Sequence, residues 1–273
     1  MREEKCCCEA QTRKYLSVAE LPLMHRFYFP HSDFSTKDIV LTDQEEIHHL
    51  QNVLRLKKGA EVSLFNGIGD EGMGVIGSIT RTKVLITIQS VAHLKRPQPR
   101  IILACSLPKK SKFEWIIEKA TELGVQEIIP LQTERTEIIL KGEKEHKKIE
   151  RFEQVAINAC KQSQYPFLPE IHGAMDTFEA VDFLMNHSVV LMPSLQGDRK
   201  PLVPILQHHA GNRPISFMIG PEGDFTDEEY RYAHSQGCVP ISLGPTILKV
   251  ETAAITAVAC AHQILTYHGF ALD

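Results

Sequence analysis

The chain has 273 residues, 43% of them hydrophobic and 23% charged, and its formal net charge is -4. Those proportions belong to a globular protein that can bury a core, arranged as one large domain or two of ordinary size. The near balance of charge excludes wholesale electrostatic attraction to nucleic acid and leaves that task to local basic patches.

No stretch approaches the roughly 20 apolar residues that span a bilayer. The best, residues 253–261, is about half that length and contains Thr256. The opening Met1-Arg2-Glu3-Glu4-Lys5 has mixed charge and no apolar run after it, so no secretory signal is visible. The seven cysteines are odd in number and form no Cys-x-x-Cys pair. They read as reduced thiols of a cytoplasmic protein. No metal site is expected, because the Cys6-Cys7-Cys8 run lacks partner ligands.

Residues 1–23 are polar without clear periodicity and read as a disordered extension or a mis-assigned start, with Met24 as the functional start. His25-Arg26-Phe27-Tyr28-Phe29-Pro30 opens like a strand. A helix is expected near Asp43 to Leu54, and Val62 to Phe65, Met73 to Ile79 and Lys83 to Val91 read as short strands. A small β-barrel over residues 24–95 accounts for this pattern. Gly67-x-Gly69-x-x-Gly72 matches the dinucleotide fingerprint by letter. It fails on context, since a strand rather than a helix follows and Asp70-Glu71 would repel a pyrophosphate; a hairpin turn is the expected reading.

After the basic, proline-broken linker Lys95 to Arg100, the rhythm becomes strand, helix, strand. Ile101 to Cys105, Gln126 to Leu131, Val189 to Met192, Ile215 to Ile219 and Val239 to Leu243 are buried strands. Helices are expected from the capping box Ser111-x-x-Glu114 to Leu123, over Glu145 to Gln162, from the capping box Thr226-x-x-Glu229 to Gly237, and over Thr252 to Tyr267. Such alternation predicts an α/β domain with a parallel sheet across residues 96–273.

Two loops stand out. Gly220-Pro221-Glu222-Gly223-Asp224-Phe225 lies between a buried strand and a capped helix, where open α/β sheets bind ligands. Glycines there admit close backbone approach; an ordinary tight turn fits equally well. Leu243-Gly244-Pro245-Thr246-Ile247-Leu248-Lys249 follows the next strand. Its backbone groups must be satisfied, and an adenine or plain packing would each do so. Lys95, Arg96, Arg100, Lys109, Lys110, Lys112 and Lys119 make a basic cluster, read as a phosphate-tracking patch in preference to a solvated helix face.

Ile219-Gly220-Pro221-Glu222-Gly223 and Leu243-Gly244-x-x-Ile247-Leu248-x-x-Glu251-Thr252-Ala253 together resemble the RsmE family of the SPOUT methyltransferase class. Further matches are His25-Arg26-Phe27-Tyr28, His49-x-x-x-Val53-Leu54-Arg55, Lys119 to Val125, Glu134-Arg135 and Ala159-Cys160-x-Gln162-Ser163. The resemblance implies a PUA-like RNA-binding barrel followed by a trefoil-knotted methyltransferase domain. It implies a homodimer that methylates uracil N3 in 16S ribosomal RNA of the small subunit. S-adenosylmethionine would be held by Met192, Pro193, Ile219, Gly220, Pro221, Glu222, Gly223, Leu243, Gly244, Pro245, Ile247, Leu248, Thr252 and Ala253.

Lys249 would stabilise charge developing on the base, and Glu222 would orient the loop or the donor's amino group. Arg26, Arg55, Lys109, Lys110, Lys112, Arg135 and Gln162 would meet RNA, with Tyr165 as a stacking candidate. The chain departs from the family where Thr246 and Lys249 replace arginines, where Tyr165 ends Gln162-Ser163-Gln164-Tyr165 in place of an arginine, and where Asp224 replaces a glycine. Guanidinium forks are not reproduced by these residues. A non-catalytic RNA-binding assembly factor on the same fold is therefore the rival reading.

Overall fold

The computed structural model describes residues 24–30, 32–109, 112–209 and 213–266. The expected N-terminal extension and the Ser111 cap lie outside the described residues.

The first sheet contains β1 (Arg26–Tyr28), β2 (Asp38–Leu41), β3 (Glu61–Phe65), β4 (Asp70–Ile79) and β5 (Val84–His93), in the order β1-β3-β4-β5-β2. β1 runs parallel to β3 and the other pairs are antiparallel. The hydrogen-bonded ladder has two edges, β1 and β2, where the sequence pattern suggests a barrel. Helix α1 (Gln44–His48) starts where the Asp43 carboxylate accepts the Glu46 amide at 2.9 Å. It continues as a π-helical turn over His49–Val53. Together these bring Ile47 and Leu50 into a core with Phe27, Leu64 and Ile86.

The glycine-rich segment is the β3–β4 hairpin turn. Asn66 Oδ1 accepts the amides of Ile68 at 3.0 Å and Asp70 at 3.1 Å. Gly69 (φ +115°) is required twice over: a Cβ there would stand 2.5 Å from the Leu94 carbonyl and 2.6 Å from the Phe167 ring. This turn is thus one place at which the first sheet touches the second domain, through the Ile68–Phe167 bridge; β1 also packs against the helix Glu143–Ser163. The joint is reinforced by the ion pair between Lys161 and Glu46 and by Arg96, whose guanidinium lies 5.4 Å from the Phe167 ring centre.

The second sheet is wholly parallel. Its strands are β6 (Ile101–Ser106), β7 (Glu127–Gln132), β8 (Glu170–Ile171), β9 (Met175–Asp176), β10 (Val189–Pro193), β11 (Lys200–Pro201), β12 (Ile215–Ile219) and β13 (Val239–Ser242). The order is β11-β13-β10-β12-β6-β7-β8, with β9 also on β7. Helices α2 (Lys112–Glu122), α3 (Glu143–Ser163), α5 (Leu202–Gln207) and α7 (Val250–Thr266) contribute to the core on one face, and α4 (Thr177–Met185) and α6 (Asp227–Gln236) to that on the other. Alternate residues of β6 divide accordingly, Leu103 and Cys105 to the first core and Ile102 and Ala104 to the second. Burial on both faces explains why these strands read as unbroken apolar runs.

The capping box at Thr226 is formed, and Gly237 ends α6 in the left-handed region at φ 98°. A further box, Asp176 with Glu179, opens α4, a helix absent from the sequence reading. The last strand, β13, lies between two earlier ones, β10 and β11, and α7 then packs across β6 and β12.

Candidate active site

Three loops meet beyond the carboxyl ends of neighbouring strands β10, β12 and β13, and enclose a cavity of about 270 Å³. That is near the lower end of the ~300–1,000 Å³ typical of ligand pockets. Of the residues expected to hold a cofactor, Pro193, Ile219, Gly220, Pro221, Glu222, Leu243, Gly244, Ile247, Leu248 and Ala253 line it, as does Lys249. Met192 does not: it is buried in the core behind the strand end, among Val190, Met218 and Phe225. Gly223 lines a separate depression with Arg135, and Pro245 and Thr252 are exposed outside the lining. Ser194, Leu195, Arg199 and Val250 line the cavity without having been singled out. Their signal was positional, since the first three follow a buried parallel strand at the end where ligands bind.

The 220–225 loop is held from both sides. Gly220 packs so closely on Phe225 that a Cβ would stand 2.8 Å from the ring. Arg135 Nη1 donates to the Gly223 carbonyl at 2.6 Å and to the Phe225 carbonyl at 3.3 Å. Asp224 takes a left-handed backbone, φ 62°, and its Oδ1 accepts from the Phe225 amide at 2.9 Å and the Tyr230 hydroxyl at 2.7 Å. Burial, and then the Asp224 carboxylate, push the Tyr230 phenol well above its ordinary value.

Behind the loop, the buried Glu229 carboxylate gathers Thr177 Oγ1 at 2.5 Å, the Glu134 amide at 3.1 Å and the Thr226 amide at 2.8 Å. Charge-assisted bonds of this kind are about twice as strong as neutral ones. One side chain therefore ties α4, the 133–136 loop and the start of α6 together.

The 243–249 loop is looser. Gly244 has φ +134°, and Ser242 Oγ bonds its carbonyl at 3.2 Å and accepts its amide at 3.3 Å. Among the described residues the backbone amides of Ile247 and Leu248 donate no hydrogen bond. Opposite, Arg199 Nη1 donates to the Ser194 carbonyl at 3.0 Å. Glu251, next to the loop, ion-pairs with Lys112 at 3.0 Å. Burial opposes its ionisation, but its own backbone amide and Lys112 hold its pKa below the ordinary range.

Of the residues expected to meet RNA, Lys109 and Arg135 line one depression with Thr136, Glu137 and Gly223. Arg26 is 8% exposed, ion-paired to Glu71 at 2.7 Å and stacked 4.5 Å from the Phe65 ring centre. Its Nη1 also donates to Gln164 Oε1 at 3.4 Å, a contact across the domain joint. Tyr165 packs edge-on to Phe167, with 5.5 Å between ring centres. Arg55 is exposed in a left-handed conformation, φ 52°, and Gln162 is exposed on α3. Lys110 lies outside the described residues.

The basic cluster is largely neutralised. Lys109 pairs with Glu137, Lys112 with Glu251, Arg100 with Glu127, and Lys119 with Glu118 and Glu122. Most of its carboxylate partners lie beyond the cluster's own stretch of sequence.

An all-parallel sheet with a cavity at its strand ends and an inserted final strand, beside a PUA-like sheet, is the SPOUT-type methyltransferase fold. The chain belongs to the RNA methyltransferase family, whose methyltransferase domain model matches residues 95–262 and whose PUA domain model matches residues 41–89. It is 31% identical over 220 residues to ribosomal RNA small subunit methyltransferase E of Bacillus subtilis, covering 79% of this chain and 86% of the relative. The similarly named protein of Rickettsia conorii is 30% identical, over 86% of this chain and 93% of the relative. Among solved structures, the Neisseria gonorrhoeae ribosomal RNA small subunit methyltransferase E bound to S-adenosyl methionine matches with a TM-score of 0.78 at 28% identity, over 89% of this chain and 98% of that one.

Proposed function

We propose that this chain transfers the methyl group of S-adenosylmethionine to uracil N3 at one uridine of 16S ribosomal RNA in the small subunit. The observation that carries the reading is the convergence of the 193–199, 220–224 and 243–253 loops on one cavity at the strand ends. The S-adenosyl methionine-bound Neisseria relative supports the choice of donor.

The residues present fit that donor. Ile219, Leu243, Leu248 and Ala253 give apolar walls, and the unused amides of Ile247 and Leu248 can meet the polar edge of an adenine. When bound, S-adenosylmethionine supplies a methyl group already activated by its sulfonium. The protein's part is then to align and to stabilise charge, which alone can remove much of a barrier. Uracil N3 carries a proton at neutral pH, so methylation leaves a proton to be released and favours a site that tolerates the base's anion. Lys249, on the cavity wall, is suited to that anion or to a flanking phosphate, and the exposed Glu222 to orienting the loop or the donor's amino group.

On this reading residues 24–95 bind RNA and residues 96–273 carry the reaction, in the cytoplasm. No helix among the described residues is long and apolar enough to cross a membrane. The working unit is a homodimer; Ile247, 79% exposed on the cavity rim, suits cover by a second copy. Mass spectrometry of ribosomal RNA nucleosides from cells with and without the gene tests the reading. Loss of one 3-methyluridine on deletion is expected. Unchanged 3-methyluridine overturns it, and RNA binding without donor uptake in calorimetry would favour the assembly-factor alternative.

A further inference from the structure

We infer that Asp224 is a donor-binding residue of this chain, its free carboxylate oxygen accepting a hydrogen bond from S-adenosylmethionine. The inference rests on the proposed function and adds a contact to it. Asp224 lines the cavity, and its two oxygens differ sharply. Oδ1 is doubly engaged by the Phe225 amide and the Tyr230 hydroxyl. Oδ2 is buried and has no hydrogen-bond partner among the described residues. An unsatisfied buried carboxylate oxygen is costly, and native structures rarely leave one without use.

The backbone adds a second cost. Asp224 sits at φ 62°, where a side chain other than glycine is strained, though Asp and Asn tolerate it best. The Asp224 amide donates to the Pro221 carbonyl at 2.9 Å, so the side chain is aimed by its own turn and by Tyr230. A strained residue on the cavity wall, clamped through one oxygen and with the other buried and unpartnered, is suited to receive a donor group. S-adenosylmethionine offers three kinds: the ammonium of its amino-acid end, the hydroxyls of its ribose and the amino group of its adenine.

Calorimetric titration of the wild-type full-length chain, Asp224→Asn and Asp224→Gly with S-adenosylmethionine, S-adenosylhomocysteine and methylthioadenosine tests this, with melting curves as the check on folding. Asn keeps the shape and the Tyr230 contact but can present an N–H to the cavity; Gly removes the group and the strain together. Affinity for the first two ligands should fall about tenfold or more in both variants, the scale of one hydrogen bond to a charged group. Methylthioadenosine lacks the ammonium. If it is spared, the partner is the ammonium; if it weakens equally, the partner is on the nucleoside, ribose or adenine, and either result supports the contact. Folded variants that bind all three ligands as the wild type does overturn it. No binding to the wild-type chain would instead overturn the proposed function, and the inference with it.

Discussion

Replacing Gly220 by alanine tests the link between core packing and the cavity. The new Cβ would stand 2.8 Å from Phe225 Cε2 and 2.9 Å from Cδ2, where ordinary contact begins at 3.4 Å. The ring cannot simply yield. Phe225 is 0% exposed, shares a core with Ile102, Met218 and Val190, and meets Tyr230 at 5.6 Å between ring centres. Either the ring or the loop must move by more than half an ångström, and overpacking of this kind costs about 1–3 kcal/mol. At about 2–4 °C per kcal/mol for a chain of this size, Tm should fall by roughly 2–12 °C. Since Gly220 lines the cavity, S-adenosylmethionine affinity should weaken alongside, by about tenfold for a loss near 1.4 kcal/mol. Scanning fluorimetry and calorimetry read the two effects. A variant with wild-type Tm and wild-type Kd would refute the argument that this glycine is present for close approach.

Lys249→Ala should lower methyl transfer to ribosomal RNA by about 10²-fold or more while leaving the donor Kd nearly unchanged; equal losses in both would remove its assigned role. Glu229→Ala strands the amides of Thr226 and Glu134 and the Thr177 hydroxyl. At about 1–3 kcal/mol for each buried group left unsatisfied, urea unfolding should show a loss of several kcal/mol, and a loss below about 1 kcal/mol would mean the three elements do not depend on it. Glu127 is held below its ordinary pKa of 4.5 by the His172 hydrogen bond, opposed by burial and helped by Arg100. A carboxyl depressed on folding contributes stability above its unfolded pKa and loses it as pH falls through the folded value. Glu127→Gln should therefore lower Tm at pH 7 and flatten its decline below about pH 4.5; an acid profile parallel to the wild type would exclude this pair as the source.

Much of the α/β domain was legible because its elements are specified locally. Apolar runs such as Ile215–Ile219 can only be buried strands in this context, and Thr226 with Glu229 marks a helix start by a contact three residues long. The hairpin at Gly67 was readable for the same reason, since Asn66 builds the turn from its own neighbours. Helix α4 was not read, although Asp176 and Glu179 form the same kind of box, and neither were the two-residue strands β8, β9 and β11. Short strands carry no period and exist only through their partners.

Sequence alone therefore determined the class of the domain, its longer buried strands and four of its helices, and the two glycine-bearing loops after β12 and β13. Tertiary structure decided what those loops do together. Placing β13 between β10 and β11 brings the 243–253 loop against the 220–224 loop and adds Arg199 and Ser194. It also decided the fate of charges. Arg26 reads as a surface cation until Glu71 and Phe65 enclose it, and Lys109 and Lys112 read as free until Glu137 and Glu251 meet them. The physical reason is range: a cap or a turn is settled within a few residues, whereas burial and ion pairing depend on partners up to 139 positions away, as in Lys112 with Glu251. Only the fold brings such partners within reach.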